Sequence, residues 1–153
     1  MPTTLTETPP QSLETGPWTV ASSPEGWDWL PGYGLYEQTD AAARLNLIYT
    51  WDQLGEAADL MAYVERQKEA LATLVSDITT LGAEAVKAAG YDQSLHLGLV
   101  LNRDSPEEVW QEQLYLRLGD TIGILTASGP AAQRDRLRAA LRLGLKVASF
   151  SQD

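Results

Sequence analysis

The chain has no cysteine, a single histidine, one phenylalanine and two methionines among 153 residues. Without cysteine there is no disulfide framework, no thiol nucleophile and no cysteine-ligated metal. The one imidazole, His96, excludes histidine-rich metal sites and leaves little material for a catalytic triad. Basic residues are also scarce: 11 Lys and Arg stand against 21 Asp and Glu, a net charge of −10. Such a chain repels phosphate, which argues against nucleic acid as a partner. No apolar run approaches the roughly 18 residues of a membrane-spanning helix, so no membrane span is expected. The start, Met1-Pro2-Thr3-Thr4-Leu5, shows neither the basic nor the apolar part of a secretory signal, and the expected compartment is the cytoplasm.

What is present suits one folded domain. Hydrophobic residues make up 44% and charged residues 21%, close to globular averages, so a core can form. Residues 1–17 are rich in Thr, Pro, Glu, Ser and Gly and read as a flexible N-terminal arm. Residues 18–150 form the single domain. Trp18-Thr19-Val20-Ala21 alternates as a short strand, and a second short strand is expected around Tyr33 to Gln38. Leu45, Leu47, Tyr49 and Trp51 share a face at period two and should be core. From Glu56 to about Leu81 the apolar spacing turns to three and four, which predicts a long amphipathic helix, ragged through Ala89 and stopped at Gly90. A meander follows: Leu95 to Leu101, Val109 to Leu118 with Gln113, Tyr115 and Arg117 outward, and Thr121 to Ala127, joined at Gly119-Asp120. Pro130 opens a last amphipathic helix, roughly Ala131 to Val147. Blocks of strands with two amphipathic helices imply an α+β fold: a central antiparallel sheet of about six strands covered by both helices.

Motifs for catalysis are missing. Thr126-Ala127-Ser128-Gly129-Pro130 lacks the first glycine of a nucleophile elbow, and Gly32-Tyr33-Gly34 is no dinucleotide fingerprint. Asp104, Glu107 and Glu108 cluster in one loop and could hold a divalent cation, although helix-type capping explains them as well. No catalytic residue, resident metal or cofactor is therefore expected. The aromatic signal is stronger. Trp27 and Trp29 flank Asp28, and tryptophan and tyrosine are favoured at interfaces. Charge is also uneven: residues 1–110 carry 17 acids and 5 bases, whereas residues 111–153 carry 4 acids and 6 bases. Arg134, Arg138, Arg142 and Lys146 form a basic stripe at spacing four, able to dock an acidic partner.

Several of these pieces recur together in one known pattern. The Pro24-Glu25-Gly26-Trp27 turn, the Leu45–Trp51 strand before a long helix, the meander ending in Ile124-Leu125-Thr126, and a terminal helix closing on Ala148-Ser149-Phe150 resemble the PsbP/DcrB-like superfamily. The resemblance covers roughly residues 18–150 and implies an α/β/α sandwich whose members mostly bind and do not catalyse. They include a photosystem extrinsic protein, a nuclear import factor, an envelope lipoprotein and the Eag chaperones of secretion effectors, and this chain is most similar to the last in length and lack of a signal.

The resulting expectation is a non-enzymatic, chaperone- or adaptor-like protein that contacts another protein through an aromatic-rich sheet face, with a homodimer as one arrangement. The contact residues are Trp27, Trp29, Tyr33, Tyr36, Tyr115 and Arg117. Two alternatives stand beside it: a small-ligand or divalent-metal binder or hydrolase built on the loop carboxylates, and a structural subunit of a larger assembly.

Overall fold

The computed structural model describes residues 13–30 and 34–151. Two very short strands come first, β1 (Leu13–Thr15) and β2 (Trp18–Val20). They are followed by β3 (Trp27–Leu30), β4 (Gly34–Glu37) and β5 (Asn46–Gln53). Helix α1 (Leu60–Leu74) leads to β6 (Ile78–Ala85), β7 (Gln93–Leu101), β8 (Val109–Leu118) and β9 (Thr121–Pro130). A 3₁₀ turn over Ala131–Arg136, helix α2 (Leu137–Lys146) and β10 (Ala148–Phe150) complete the chain.

Among the described residues the main sheet has seven antiparallel strands in the order β3-β4-β5-β9-β8-β7-β6, and a second sheet has three, β1-β2-β10. The sheet is thus one strand wider than the sequence implies: the expected strand at Trp18 lies in the small sheet instead, and two strands are added, β3 and, inside the expected helix, β6. Its residues fell inside the predicted helix because Ile78 and Leu81 continue the helical spacing. The helix ends earlier for two local reasons. Asp77 adopts φ 57°, outside the right-handed helical region, and the β-branched run Ile78-Thr79-Thr80 prefers a pleated surface. At its other end α1 starts where the Asp59 carboxylate accepts the Ala62 N–H at 2.8 Å, satisfying one of the orphan donors of a helix N-terminus.

The helices cover opposite faces of the large sheet, giving the α/β/α sandwich. On one face α2 lays Leu137, Ala140 and Leu141 against Leu47, Leu114, Leu116 and Leu125. On the other, Leu60, Tyr63 and Val64 of α1 pack on Leu95, Leu97, Leu99 and Tyr115. Gly144 lets α2 approach closely, since a Cβ there would lie 3.0 Å from Leu47, 3.1 Å from the Tyr49 hydroxyl and 3.2 Å from Leu125. Fully covered strands explain why β7 is buried on both sides from Ser94 to Val100.

The three-stranded sheet closes the α2 face beyond the helix. Trp18, fully buried, meets the rings of Tyr49 and Phe150 edge-on at 5.2 Å each and donates its indole N–H to the Thr50 carbonyl at 2.7 Å. The space for both rings comes from Gly123, where a Cβ would approach Trp18 and Phe150 to 2.8 Å. Two expectations change here. Leu13–Thr15 pairs with Val20–Trp18, so the arm read as residues 1–17 gives way to a strand at its C-terminal end; residues 1–12 lie outside the described residues. Ala148–Phe150 forms a strand on β2 and does not simply close a helix.

Trp51 shares the parity of Leu47 and Tyr49 yet is 45% exposed. It lies past the covered part of the face and sits over Gly16, where any Cβ would strike its indole.

Candidate functional site

The aromatic residues expected to form one contact face are divided by the sheet. Trp27 and Trp29 point the same way, as alternation on an extended segment requires, but that way is inward: Trp27 is 8% exposed and Trp29 packs on the same core. Tyr36 pairs opposite Asp28 and therefore lies on the other face, under the Arg44 guanidinium at 5.0 Å from its ring centre. Tyr33 lies outside the described residues. Tyr115 is a correction: it points outward from the α2 core as read from the alternation, but α1 covers that side. The ring is 2% exposed and meets Tyr63 edge-on at 6.1 Å, and burial pushes both phenols well above their usual pKa. Arg117 is also committed, donating to the Gly119 carbonyl at 2.8 Å and to Gln93 Oε1 at 2.7 Å. Gln93 in turn accepts the Leu60 N–H at 3.0 Å, so Arg117 positions the start of α1.

Among the described residues, neither helix covers the remainder of the α1 face. It runs across β3, β4, β5 and the adjoining ends of β9 and β8, and carries Tyr36, Asn46, Ile48, Gln113, Thr126 and Ser128, none of them buried. Formal charges on it are few, Asp28 and Arg44 being placed there by their contacts with Tyr36.

On the opposite face, the basic stripe resolves into different roles. Arg134 belongs to the 3₁₀ turn and not to α2; it stacks on Trp110 at 5.5 Å. Arg138 bonds Glu84 at 2.9 Å, lies 3.8 Å from Glu112 and reaches His96 Nδ1 at 3.4 Å. Arg142 lines a cleft, and Lys146 sits in the last turn of α2, where the helix dipole favours a cation.

His96 is the centre of the one compact charged cluster described on the sheet. It is 6% exposed, opposite Leu114, with Nε2 in close contact with Glu112 and Nδ1 3.6 Å from Glu84. The two ring nitrogens thus face different partners, Nδ1 the Arg138 guanidinium and Glu84, Nε2 the Glu112 carboxylate. Nε2 and Glu112 Oε2 are both buried and have no hydrogen-bond partner among the described residues. Among the described residues no serine or threonine hydroxyl bonds His96, so the cluster lacks the nucleophile–base pair that acyl transfer requires.

Beside it, a cleft of about 230 Å³ separates α2 from the sheet, lined by Leu114, His96, Arg138, Leu141, Arg142 and Leu145 and closed at one side by Val86-Lys87-Ala88. The sequence could not reveal Glu84, Glu112 and Lys87 as its neighbours. Glu84 and Lys87 lay in the segment read as ragged helix, and Glu112 meets His96 only through the β7–β8 register.

The loop carboxylates do not converge. Glu108 accepts the Asp104 N–H at 2.8 Å and the Trp110 indole N–H at 2.7 Å, which hold its carboxyl below the usual range. Among the described residues no group of three His, Cys, Asp or Glu side chains is arranged to hold a metal. His96 is six residues along β7 from Asn102, roughly 20 Å at strand rise, too far to join that loop. No described helix is long and apolar enough to cross a membrane.

No family model matches the chain, and no curated protein sequence matches it. Its fold does match solved structures. LpqN of Mycobacterium tuberculosis, involved in cell envelope biogenesis, superposes with a TM-score of 0.64 at 13% identity over 85% of this chain and 81% of LpqN. A protein of unknown function from Pseudomonas aeruginosa gives 0.61 at 14% identity over 75% and 78%. The cyanobacterial PsbP of Synechocystis sp. PCC 6803 gives 0.53 at 11% identity over 88% and 87%. The fold is PsbP-like.

Proposed function

We propose that this chain is a non-enzymatic partner-binding protein, adaptor- or chaperone-like, that engages another protein through the part of the α1 face that neither helix covers. The carrying observation is the character of that surface. In a chain of net charge −10, an extended sheet face carries mainly Tyr36, Ile48, Gln113 and Thr126 and stays uncovered by either helix. Depletion of charge with an aromatic at the centre marks the core of protein interfaces. Neighbours of the same fold, one of them involved in cell envelope biogenesis, are compatible with a binding role. Trp27 and Trp29 contribute by holding β3 against the core from the far side, and not by direct contact.

A photo-crosslinking residue at position 48 or 126, used in the native cell, should capture one stoichiometric protein. The same residue at position 69, on the exposed side of α1, should not. Equal capture from all three positions, or none from 48 and 126, overturns the reading.

A further inference from the structure

Once the ion pairs are assigned, two cations at the α2 cleft are left over. Among the described residues, Arg138 is held by Glu84 and Glu112, whereas Lys87 and Arg142 pair with no carboxylate. They stand on opposite lips, Lys87 on the β6–β7 connection and Arg142 on α2, and both are exposed. Between them the wall is apolar: Leu114 and Leu141 are buried, and Leu145 and Val86 are half-buried. Here two exposed cations with no carboxylate partner among the described residues flank an apolar hollow.

We propose that this cleft binds a small amphipathic acid of the medium-chain monocarboxylate class. The chain lies along Leu114, Leu141 and Leu145, and the carboxylate sits at the mouth against Lys87 and Arg142, where charge-assisted hydrogen bonds are strongest. At about 230 Å³ the cleft is smaller than the roughly 300 Å³ at which drug-sized sites begin, which restricts the occupant to one short chain. His96 and Arg138 complete the lining. The site is on the face opposite the proposed docking surface, and so stands or falls independently of it.

Octanoate titrated into the full-length protein and followed by ¹⁵N NMR tests the assignment. Saturable shifts confined to residues 86–88 and 138–145 are expected. Octylamine, with the same chain and the opposite charge, should bind at least about tenfold more weakly, as should propionate, which lacks the chain. The double variant K87E/R142E should lose octanoate binding by about tenfold or more with its melting temperature unchanged, both side chains being exposed; K87A alone should show an intermediate loss. Equal binding of octylamine, indifference to both variants, or shifts elsewhere overturn the proposal. So does an acidic, leucine-containing peptide that saturates the same amides at lower concentration than octanoate, because the cleft would then belong to a protein segment.

Discussion

Replacing Tyr49 with Phe deletes one oxygen and tests how the sheet and α2 are joined. The Tyr49 hydroxyl donates to the Gly144 carbonyl at 2.6 Å, buried, between residues far apart in sequence. Gly144 lies in the last turn of α2, where carbonyls lose their intrahelical N–H partners, and the Tyr49 hydroxyl supplies one in its place. The phenylalanine ring fills the same space, and no cavity accompanies the change. The cost is that of an unsatisfied buried acceptor, about 1–3 kcal/mol. At about 2–4 °C per kcal/mol for a chain of this size, the melting temperature should fall by about 2–12 °C. Thermal unfolding followed by circular dichroism measures it, with Tyr36→Phe as control: that hydroxyl meets Asp28 at 3.4 Å on a half-exposed surface and should cost less than about 0.5 kcal/mol. A Tyr49→Phe protein that melts within about 1 °C of the parent would refute the assignment of this bond as the tie between the two layers.

Three further outcomes follow from the packing. Gly123→Ala should destabilise by about 1–3 kcal/mol in urea titration through overpacking against Trp18 and Phe150, whereas Gly82→Ala, with nothing within 4 Å, should be neutral within about 0.5 kcal/mol; equal effects would disprove the close approach. His96→Ala leaves the buried Glu112 without its facing imidazole and should cost about 2–4 kcal/mol, largely recovered when Glu112→Gln is added; a second change that costs as much as the first counts against a coupled pair. Burial raises the phenols of Tyr49, Tyr63 and Tyr115 above their usual values, so the folded state holds protons that the unfolded state releases near pH 10. Stability should therefore be full below that pH and fall as pH rises past it, seen as a dropping urea midpoint between pH 9 and 11; a flat midpoint would contradict it.

The strands whose two faces differ were legible from sequence. Leu45 to Tyr49, the meander and the Gly119-Asp120 hairpin all follow from period-two patterning and a turn, and the α2 stripe follows from spacing of three and four. Strand β6 was hidden because Ile78 and Leu81, three apart, fit the helical period, while the irregularity between Thr80 and Ala83 breaks the period-two pattern; only Asp77 and the threonines signal the strand. Tyr115 shows a different limit: alternation says which residues share a face, not whether that face is covered. The helix-free surface and the α2 cleft could not be read at all, since each depends on where helices stop relative to a sheet whose order, with β9 placed between β5 and β8, is set by pairings remote in sequence.

The small sheet has a consequence for how the molecule is made. Strand β2 is flanked by β1, its immediate neighbour in the chain, and by β10, more than a hundred residues later in sequence. Until Phe150 is in place, Trp18 lacks one of its two ring partners and Gly123 has only Trp18 above it. Without β10 the fold exposes an indole and a notch in the sheet, apolar surface of the kind that favours association. Joining segments so distant also requires a large loop closure, which places folding in the slower, millisecond-to-second range of sheet-rich domains.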